Sequence, residues 1–379
     1  MHFTIDTNTF INGVQQANKA VSSRTTIPIL TGIKIRATAT GITLIGSDSD
    51  ISIETFIPSS DEEHEYITIH EEGEMVLQAK YFAEIVRKMP GDALTLKKEG
   101  QMAASIASDN VVFNLNGYDP DNYPRLPQLQ EEQVFQLPQY LLKDIISQTV
   151  FAVSSQETRP VLTGVNFTIT DKELTATATD SHRLAMRTIS VEAEEALDIK
   201  NVIIPGKSLV ELNRILDDRE DMVTIVVTST QVLFKIDHLL FFSRLLDGKF
   251  PLTSHMIPTE GKTTVTLSTK ALNRSLERAM LLSREVKNNV VHVKSVGTDQ
   301  LEISSISAEV GKVKETIEAT DLNGEELEIA FNGKNISDAL KVIDSETISV
   351  LFTGAMSPFV IRPMNEKQMI HLFSPVRTS

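Results

Sequence analysis

Lys207-Ser208-Leu209-Val210-Glu211-Leu212-Asn213-Arg214-Ile215-Leu216 decides how this chain is built. At 3.6 residues per turn, Leu209, Leu212, Ile215 and Leu216 fall on one side of a helix. Lys207, Glu211 and Arg214 fall on another. The same text is written twice more. One copy starts at Lys80, with Glu84 and Arg87 set against Phe82, Ile85, Val86 and Met89. The other starts at Lys334, with Asp338 and Lys341 set against Ile336, Ala339, Leu340 and Ile343. The three lysines are 127 residues apart each time. A single amphipathic helix with a charged face is an ordinary surface element. Three at one period declare a repeat architecture. Within each copy the acid four residues after the lysine can pair with it, in the weaker of the two orientations.

Working outward, an earlier helix precedes each of these. Phe10, Val14, Ala17 and Val21 have helical spacing over 6–21. Shifts of 131 residues reach Leu141, Ile145, Gln148 and Ala152, then Leu272, Leu276, Ala279 and Ser283. Between the two helices the pattern turns to strand. Pro28-Ile29-Leu30-Thr31-Gly32-Ile33-Lys34-Ile35 and Pro160-Val161-Leu162-Thr163-Gly164-Val165-Asn166-Phe167 both alternate, and Leu-Thr-Gly recurs at an offset of 132. Proline-rich joints, Asp119 to Pro127 and Phe250 to Pro258, read as extended linkers. The expected fold is α+β, in three similar domains at 1–128, 129–257 and 258–379. Each would lay its pair of helices on one face of an antiparallel sheet, charged sides outward.

The chain has 379 residues, 41% of them hydrophobic, no cysteine and a formal charge of −15. Cysteine-free composition excludes a disulfide scaffold, a thiolate zinc site and a cysteine nucleophile. No apolar run reaches membrane-spanning length and the first residues lack a signal-peptide pattern, so a cytoplasmic protein is expected. An acidic body argues against tight, sequence-independent duplex binding, which draws on a basic excess. Any nucleic-acid role must use local basic faces.

Such faces exist. The later helices carry Lys80, Arg87, Lys207, Arg214, Lys334 and Lys341, and the early helices add Lys19, Lys143, Lys270, Arg274 and Arg278. The functional reading is a shared surface for phosphates; the plain reading is a solvated face with intrahelical pairs. Hydroxyl- and base-bearing loops follow the early helices: Ser22-Ser23-Arg24, Ser154-Ser155-Gln156 with Arg159, and Ser283-Arg284-Glu285-Val286-Lys287. Asp180-Ser181-His182 invites a hydrolase reading, but three consecutive residues are poor triad material, and Ser47-Asp48-Ser49-Asp50 repeats the Asp-Ser pair at an offset of 132. His182 and Arg183 have no counterpart in the first copy, which suits a contact made once per chain. The histidines show no metal-binding spacing and no glycine-rich phosphate loop occurs, so neither a metal nor another cofactor is expected.

Several stretches resemble one family throughout the chain: Ser23-Arg24-Thr25-Thr26-Ile27-Pro28-Ile29-Leu30, Ala178-Thr179-Asp180-Ser181-His182-Arg183-Leu184-Ala185, Phe241-Phe242-Ser243-Arg244-Leu245-Leu246-Asp247-Gly248 and Pro375-Val376-Arg377. The chain is similar to the bacterial DNA polymerase III β subunits, the replicative sliding clamps, in a wording like that of low-GC Gram-positive bacteria. The resemblance implies three clamp domains of the processivity fold, with no catalytic site of their own. It implies a head-to-tail homodimer closing a six-domain ring on double-stranded DNA, helices lining the hole and sheets outside. Phe113, Leu281 and Leu282 match its dimer interface; Arg24, Gln156 and Arg159 match its DNA-touching loops. Pro160-Val161 stands where some members carry aromatics.

The implied partners are the replicative polymerase catalytic subunit, the clamp loader, and other polymerases and repair proteins bearing short clamp-binding peptides. The peptide cleft between the second and third domains matches Leu162, Thr179, Ser181, His182, Arg183, Leu184, Pro251, Met256, Asn332, Met356, Pro358, Pro375, Val376 and Arg377. Ser374 and Val376 stand where some members have a second methionine. The competing reading is a repeat-built protein-binding scaffold that does not encircle DNA.

Overall fold

The computed structural model describes residues 1–22, 24–62, 64–126, 133–191, 197–283, 289–366 and 368–377. Among them are six α-helices: α1 Thr7–Asn18, α2 Ala79–Arg87, α3 Gln139–Thr149, α4 Gly206–Asn213, α5 Thr269–Ser283 and α6 Gly333–Leu340. Each sequence copy thus has its early and its late helix. Phe82 and Val86 of α2, Leu209 and Leu212 of α4, and Ile336, Ala339 and Leu340 of α6 are buried, as the apolar stripe requires.

The early stripe needs one correction. In α3 Leu142, Ile145, Ile146 and Thr149 are buried, with Gln139 at its start, whereas Leu141 and Gln148 are only half-buried. The true offset from Phe10, Val14 and Ala17 is therefore 132, the period of the Leu-Thr-Gly repeat. Thr149 can occupy a core position because its hydroxyl donates to the Ile145 carbonyl at 2.7 Å.

The described strands form three sheets, antiparallel in every pairing. The first runs Gln133–Pro138, Met222–Val227, Gln231–Ile236, Leu239–Arg244, Ile51–Pro58, Gly41–Ser47, Gly32–Thr38, Gly73–Gln78, Val111–Tyr118, Ala103–Ser108, Ala93–Glu99, His2–Asp6, Ile67–Glu71. The second runs Ile199–Pro205, Gly164–Thr170, Glu173–Thr179, Arg183–Ser190, Met369–Phe373, Phe359–Pro363, Thr347–Phe352, Thr263–Ser268, Asp321–Gly324. The third runs Gly311–Glu318, Gln300–Ser307, Val290–Val296, Glu328–Asn332.

Contacts divide the chain into two compact units, Met1–Tyr140 with Val210–Leu245 and Leu141–Leu209 with Leu246–Ser379. The division follows sheets and not sequence copies. Strand Leu239–Arg244 pairs with Ile51–Pro58, placing Phe241 opposite Ile53. Strand Arg183–Ser190 pairs with Met369–Phe373, placing Leu184 opposite Leu372. Half of the middle copy therefore joins the first and half joins the third, each junction covering strand edges that would otherwise be open.

In the first unit α1 lies beside α2 and rests on strands Gly41–Ser47 and Ile51–Pro58. The rings of Phe3, Phe10 and Phe82 meet edge to face at 5.7 and 5.9 Å. Close approach requires Gly46, since a Cβ there would come within 2.0 Å of the Ala17 carbonyl oxygen. In the second unit α5 lies beside α6, and Phe331, Phe352, Phe359 and Phe373 share one buried cluster.

Two expectations about local structure are overturned. Pro28–Thr31 and Pro160–Thr163 are 3-10 turns, not strand, and the strands start at Gly32 and Gly164. Proline fixes the first φ of each turn, and Thr31 and Thr163 close it by donating to Pro28 and Pro160 carbonyls at 2.7 Å each. Nor is the first joint a linker. Pro120–Asn122 is a 3-10 turn, and Tyr123 is buried against Leu30, Ile45 and Val76, its hydroxyl donating to the Ile45 carbonyl at 3.3 Å. The second joint is likewise docked, with Ile257 packed against Leu184, Val360 and Leu372. The expected boundary at 128 lies outside the described residues.

Candidate nucleic-acid interface and peptide cleft

Burying the apolar stripe of each late helix forces its charged face outward. Lys80, Arg87, Lys207, Arg214, Lys334 and Lys341 are all exposed, as are Arg24, Gln156 and Arg159 in the loops. Two of the three acids do not pair as the spacing suggested. Glu84 holds Arg87 at 2.6 Å and Glu211 holds Arg214 at 2.6 Å, in both cases the base three residues on. That orientation places the acid nearer the helix N-terminus, where the peptide dipoles favour it. The lysines are thereby released: Lys80 lies over the Tyr81 ring at 5.5 Å, and Lys207 has no carboxylate partner among the described residues. Only the third copy makes the lysine–acid pair, Lys334 to Asp338 at 2.9 Å. Exposed pairs of this kind contribute a few tenths of a kcal/mol, so a phosphate can displace them.

Two other bases have structural work. Lys19 donates to the Arg214 carbonyl at 2.9 Å, at the end of α4, and burial pulls its ammonium below the usual lysine range. Arg278 is paired with Glu315.

The loops repeat in detail. The Ser22 hydroxyl accepts the Arg24 backbone N–H at 3.1 Å, and the Ser154 hydroxyl accepts that of Gln156 at 3.0 Å. Arg24 and Gln156 are therefore the same position of one turn. Residues 284–287 of the third loop, like Ser23 of the first, lie outside the described residues.

The Asp180 cluster is a turn and not a triad. Asp180 Oδ1 accepts the backbone N–H groups of His182 and Arg183 at 2.9 and 3.0 Å. Asp48 Oδ1 does the same for Asp50 and Ile51 at 3.0 and 2.9 Å. Ser49 and Ser181 sit alike in the left-handed region, at φ 86° and 77°. Among the described residues no hydrogen bond joins the Ser181 and His182 side chains.

Around this turn the second sheet brings together some of the residues expected to line the cleft. Pairing of Arg183 with Phe373 brings the C-terminal segment alongside. Ser374 N–H then donates to the His182 carbonyl at 2.8 Å, and Val376 N–H to the Ala330 carbonyl at 2.7 Å. Thr179 is buried, donating to the Arg183 carbonyl at 2.7 Å. Leu184 and Leu162 are buried too, at 1% and 5% exposure. Asn332 caps α6, its Oδ1 accepting the Lys334 N–H at 3.0 Å. Met256, Met356, Pro251 and Pro358 are exposed, with Met356 and Pro358 on the turn between strands Thr347–Phe352 and Phe359–Pro363. No hydrogen bond joins these four to the Arg183 group among the described residues. Pro375 and Val376 are half-buried and Arg377 is exposed.

Sequence reasoning missed what holds Arg183. Its Nε donates to Asp180 at 3.1 Å, its Nη1 to Asp338 at 3.1 Å, and its guanidinium lies over the Phe151 ring at 5.4 Å. Behind Phe151, at 5.6 Å, is His371, wholly buried with neither ring nitrogen hydrogen-bonded among the described residues; burial pushes its pKa down to about 3. The available signal was slight: the late-helix acid is glutamate in two copies and aspartate in the third.

Phe113 and Leu281 are large apolar residues left 41% and 63% exposed, while Leu282 beside them is half-buried. No helix among the described residues is long and apolar enough to cross a membrane.

Comparison with known proteins agrees over the whole chain. Family models of the DNA polymerase III beta subunit match its N-terminal domain at residues 1–127, its central domain at 136–252 and its C-terminal domain at 254–377. The chain is 59% identical to a beta sliding clamp of Halalkalibacterium halodurans and 51% identical to that of Bacillus subtilis, each over the full length of both chains. The crystal structure of the Bacillus subtilis DNA polymerase sliding clamp superposes with a TM-score of 0.97 over all of both chains. That of the Streptococcus pneumoniae beta chain, 37% identical, gives 0.94 with the same coverage. With its fold, its repeats and its full length all matched, this chain belongs to the DNA polymerase III beta subunit family.

Proposed function

We propose that the protein is a non-catalytic processivity clamp: a homodimeric ring that encircles duplex DNA, slides without sequence preference and tethers the replicative polymerase. One observation carries this reading beyond family membership. Each of three repeated helices buries an apolar stripe and exposes bases, on a chain whose formal charge is −15. Weak, sequence-blind contacts suit a protein retained by topology, because each added phosphate contact raises affinity and salt sensitivity together, and with them drag. Domains at 1–128, 129–257 and 258–379 would supply six lining units per dimer. The exposed Phe113 and Leu281 fit an apolar head-to-tail contact, which closes when each domain turns the chain by a sixth of a circle. The site around His182, Arg183 and the C-terminal segment fits a short peptide with aliphatic and aromatic anchors, as carried by a polymerase, a clamp loader or repair proteins in the cytoplasm.

The DNA contact is tested by charge reversal. Lys207→Glu with Arg214→Glu should leave the dimer intact by light scattering yet cut retention on nicked circular DNA at least severalfold. Normal loading and retention would overturn the lysine face. A scaffold that never encircles DNA would show no difference in retention between circular and linearised templates.

A further inference from the structure

Among the three late-helix acids, Asp338 alone is hydrogen-bonded beyond its own charged segment among the described residues. Both of its oxygens take the Lys334 ammonium, at 3.1 and 2.9 Å, and Oδ2 also accepts from Arg183 Nη1 at 3.1 Å. Lys334 is 62% exposed at its side chain, whereas Arg183 is 12% exposed and Asp338 19%. The carboxylate thus stands between a base open to solvent phosphates and a base sunk in the wall of the cleft. Arg183 Nη2 has no partner among the described residues, and the ring of Phe151 and the carboxylate of Asp180 fix the plane of the guanidinium. That plane sets where the unused donors point.

We propose that Asp338 is a positioning residue for the peptide site and couples it to DNA. While Lys334 and Arg183 share the carboxylate, each weakens its hold on the other. A phosphate that draws the Lys334 ammonium away leaves Asp338 to Arg183 alone, and the tighter clamp presents Arg183 to the peptide at lower entropic cost. Linkage makes the effect reciprocal: peptide binding favours phosphate at Lys334 by the same factor. Because Lys334 is largely exposed and screened, the factor is modest, roughly two- to fivefold. This coupling rests on reading the α6 face as DNA-facing and the Arg183 site as peptide-binding.

The test uses full-length protein and a fluorescein-labelled decapeptide carrying a leucine-phenylalanine pair, followed by anisotropy. Lys334→Ala mimics withdrawal of the ammonium and should tighten peptide binding roughly two- to fivefold. Asp338→Asn should weaken it, and the double variant should match Asp338→Asn, because Lys334 acts only through the carboxylate. Additive effects, or an unchanged Kd for Lys334→Ala, would overturn the coupling. Hydrogen exchange at Arg183 Nε, read by nitrogen-15 NMR without peptide, should slow in Lys334→Ala. If wild-type protein binds no such peptide, the cleft reading fails, while the exchange rate still decides whether Asp338 links the two bases.

Discussion

His371 shows how one residue can betray the packing around it. Neither ring nitrogen has a partner among the described residues, and burial pushes the pKa down to about 3 from an ordinary 6.5. The sign follows from proton counting. Between those values the unfolded chain holds a proton that the folded chain does not, so stability rises with pH. The contribution is complete above pH 6.5 and is lost as pH falls toward about 3. Each pH unit in that window costs about 1.4 kcal/mol. His371→Leu removes the titrating group; between pH 7 and pH 5 it should lose about 2 kcal/mol less than wild type in urea unfolding. Equal losses would show that the ring is hydrated in solution. The charged neighbour past Phe151 is Arg183.

The elements are held by close backbone approach as much as by side-chain fit. Helix α1 can rest on strand Gly41–Ser47 only because residue 46 has no Cβ. Gly46→Ala would set a methyl 2.0 Å from the Ala17 carbonyl oxygen and push the helix off its sheet. We expect a loss of about 1–3 kcal/mol, seen as a lowered Tm; an unchanged melt would mean that α1 sits higher on the sheet than described. The charged helices make the complementary point. Their acids were placed correctly on the outer face by periodicity; Asp338 takes the expected lysine and also Arg183, whereas in the other two copies helix polarity favours the base three residues on. Spacing gives the candidates for pairing and cannot rank them when a tertiary partner competes.

For the whole molecule, the oligomeric state decides the reading. At micromolar concentration light scattering should give twice the 42.0 kDa chain mass. Phe113→Asp with Leu281→Asp should convert the particle to a monomer without lowering its helix content, because both side chains are already exposed in one chain. A wild-type monomer would sink the ring, and a dimer untouched by the double variant would move the interface elsewhere. Loss of DNA retention should accompany loss of the dimer, since the acidic body has little affinity beyond topology.

The sequence by itself determined the repeat, the six helices with their buried and charged faces, and the equivalence of turns 132 residues apart. All of these depend on local periodicity and turn chemistry, which are written within a few residues. It placed Ile145 and Ala152 correctly in the core but followed Leu141 and Gln148 where Leu142 and a hydrogen-bonded Thr149 are the core residues. It also took the Tyr123 segment for a linker, since a proline-rich text reads the same whether free or docked. Only the tertiary structure decided that the sheets cross the copies, that Tyr123 is buried, and that Asp338 reaches Arg183. Those outcomes depend on which strand edges find each other across more than a hundred residues, and edge pairing leaves no periodic mark in either partner's sequence.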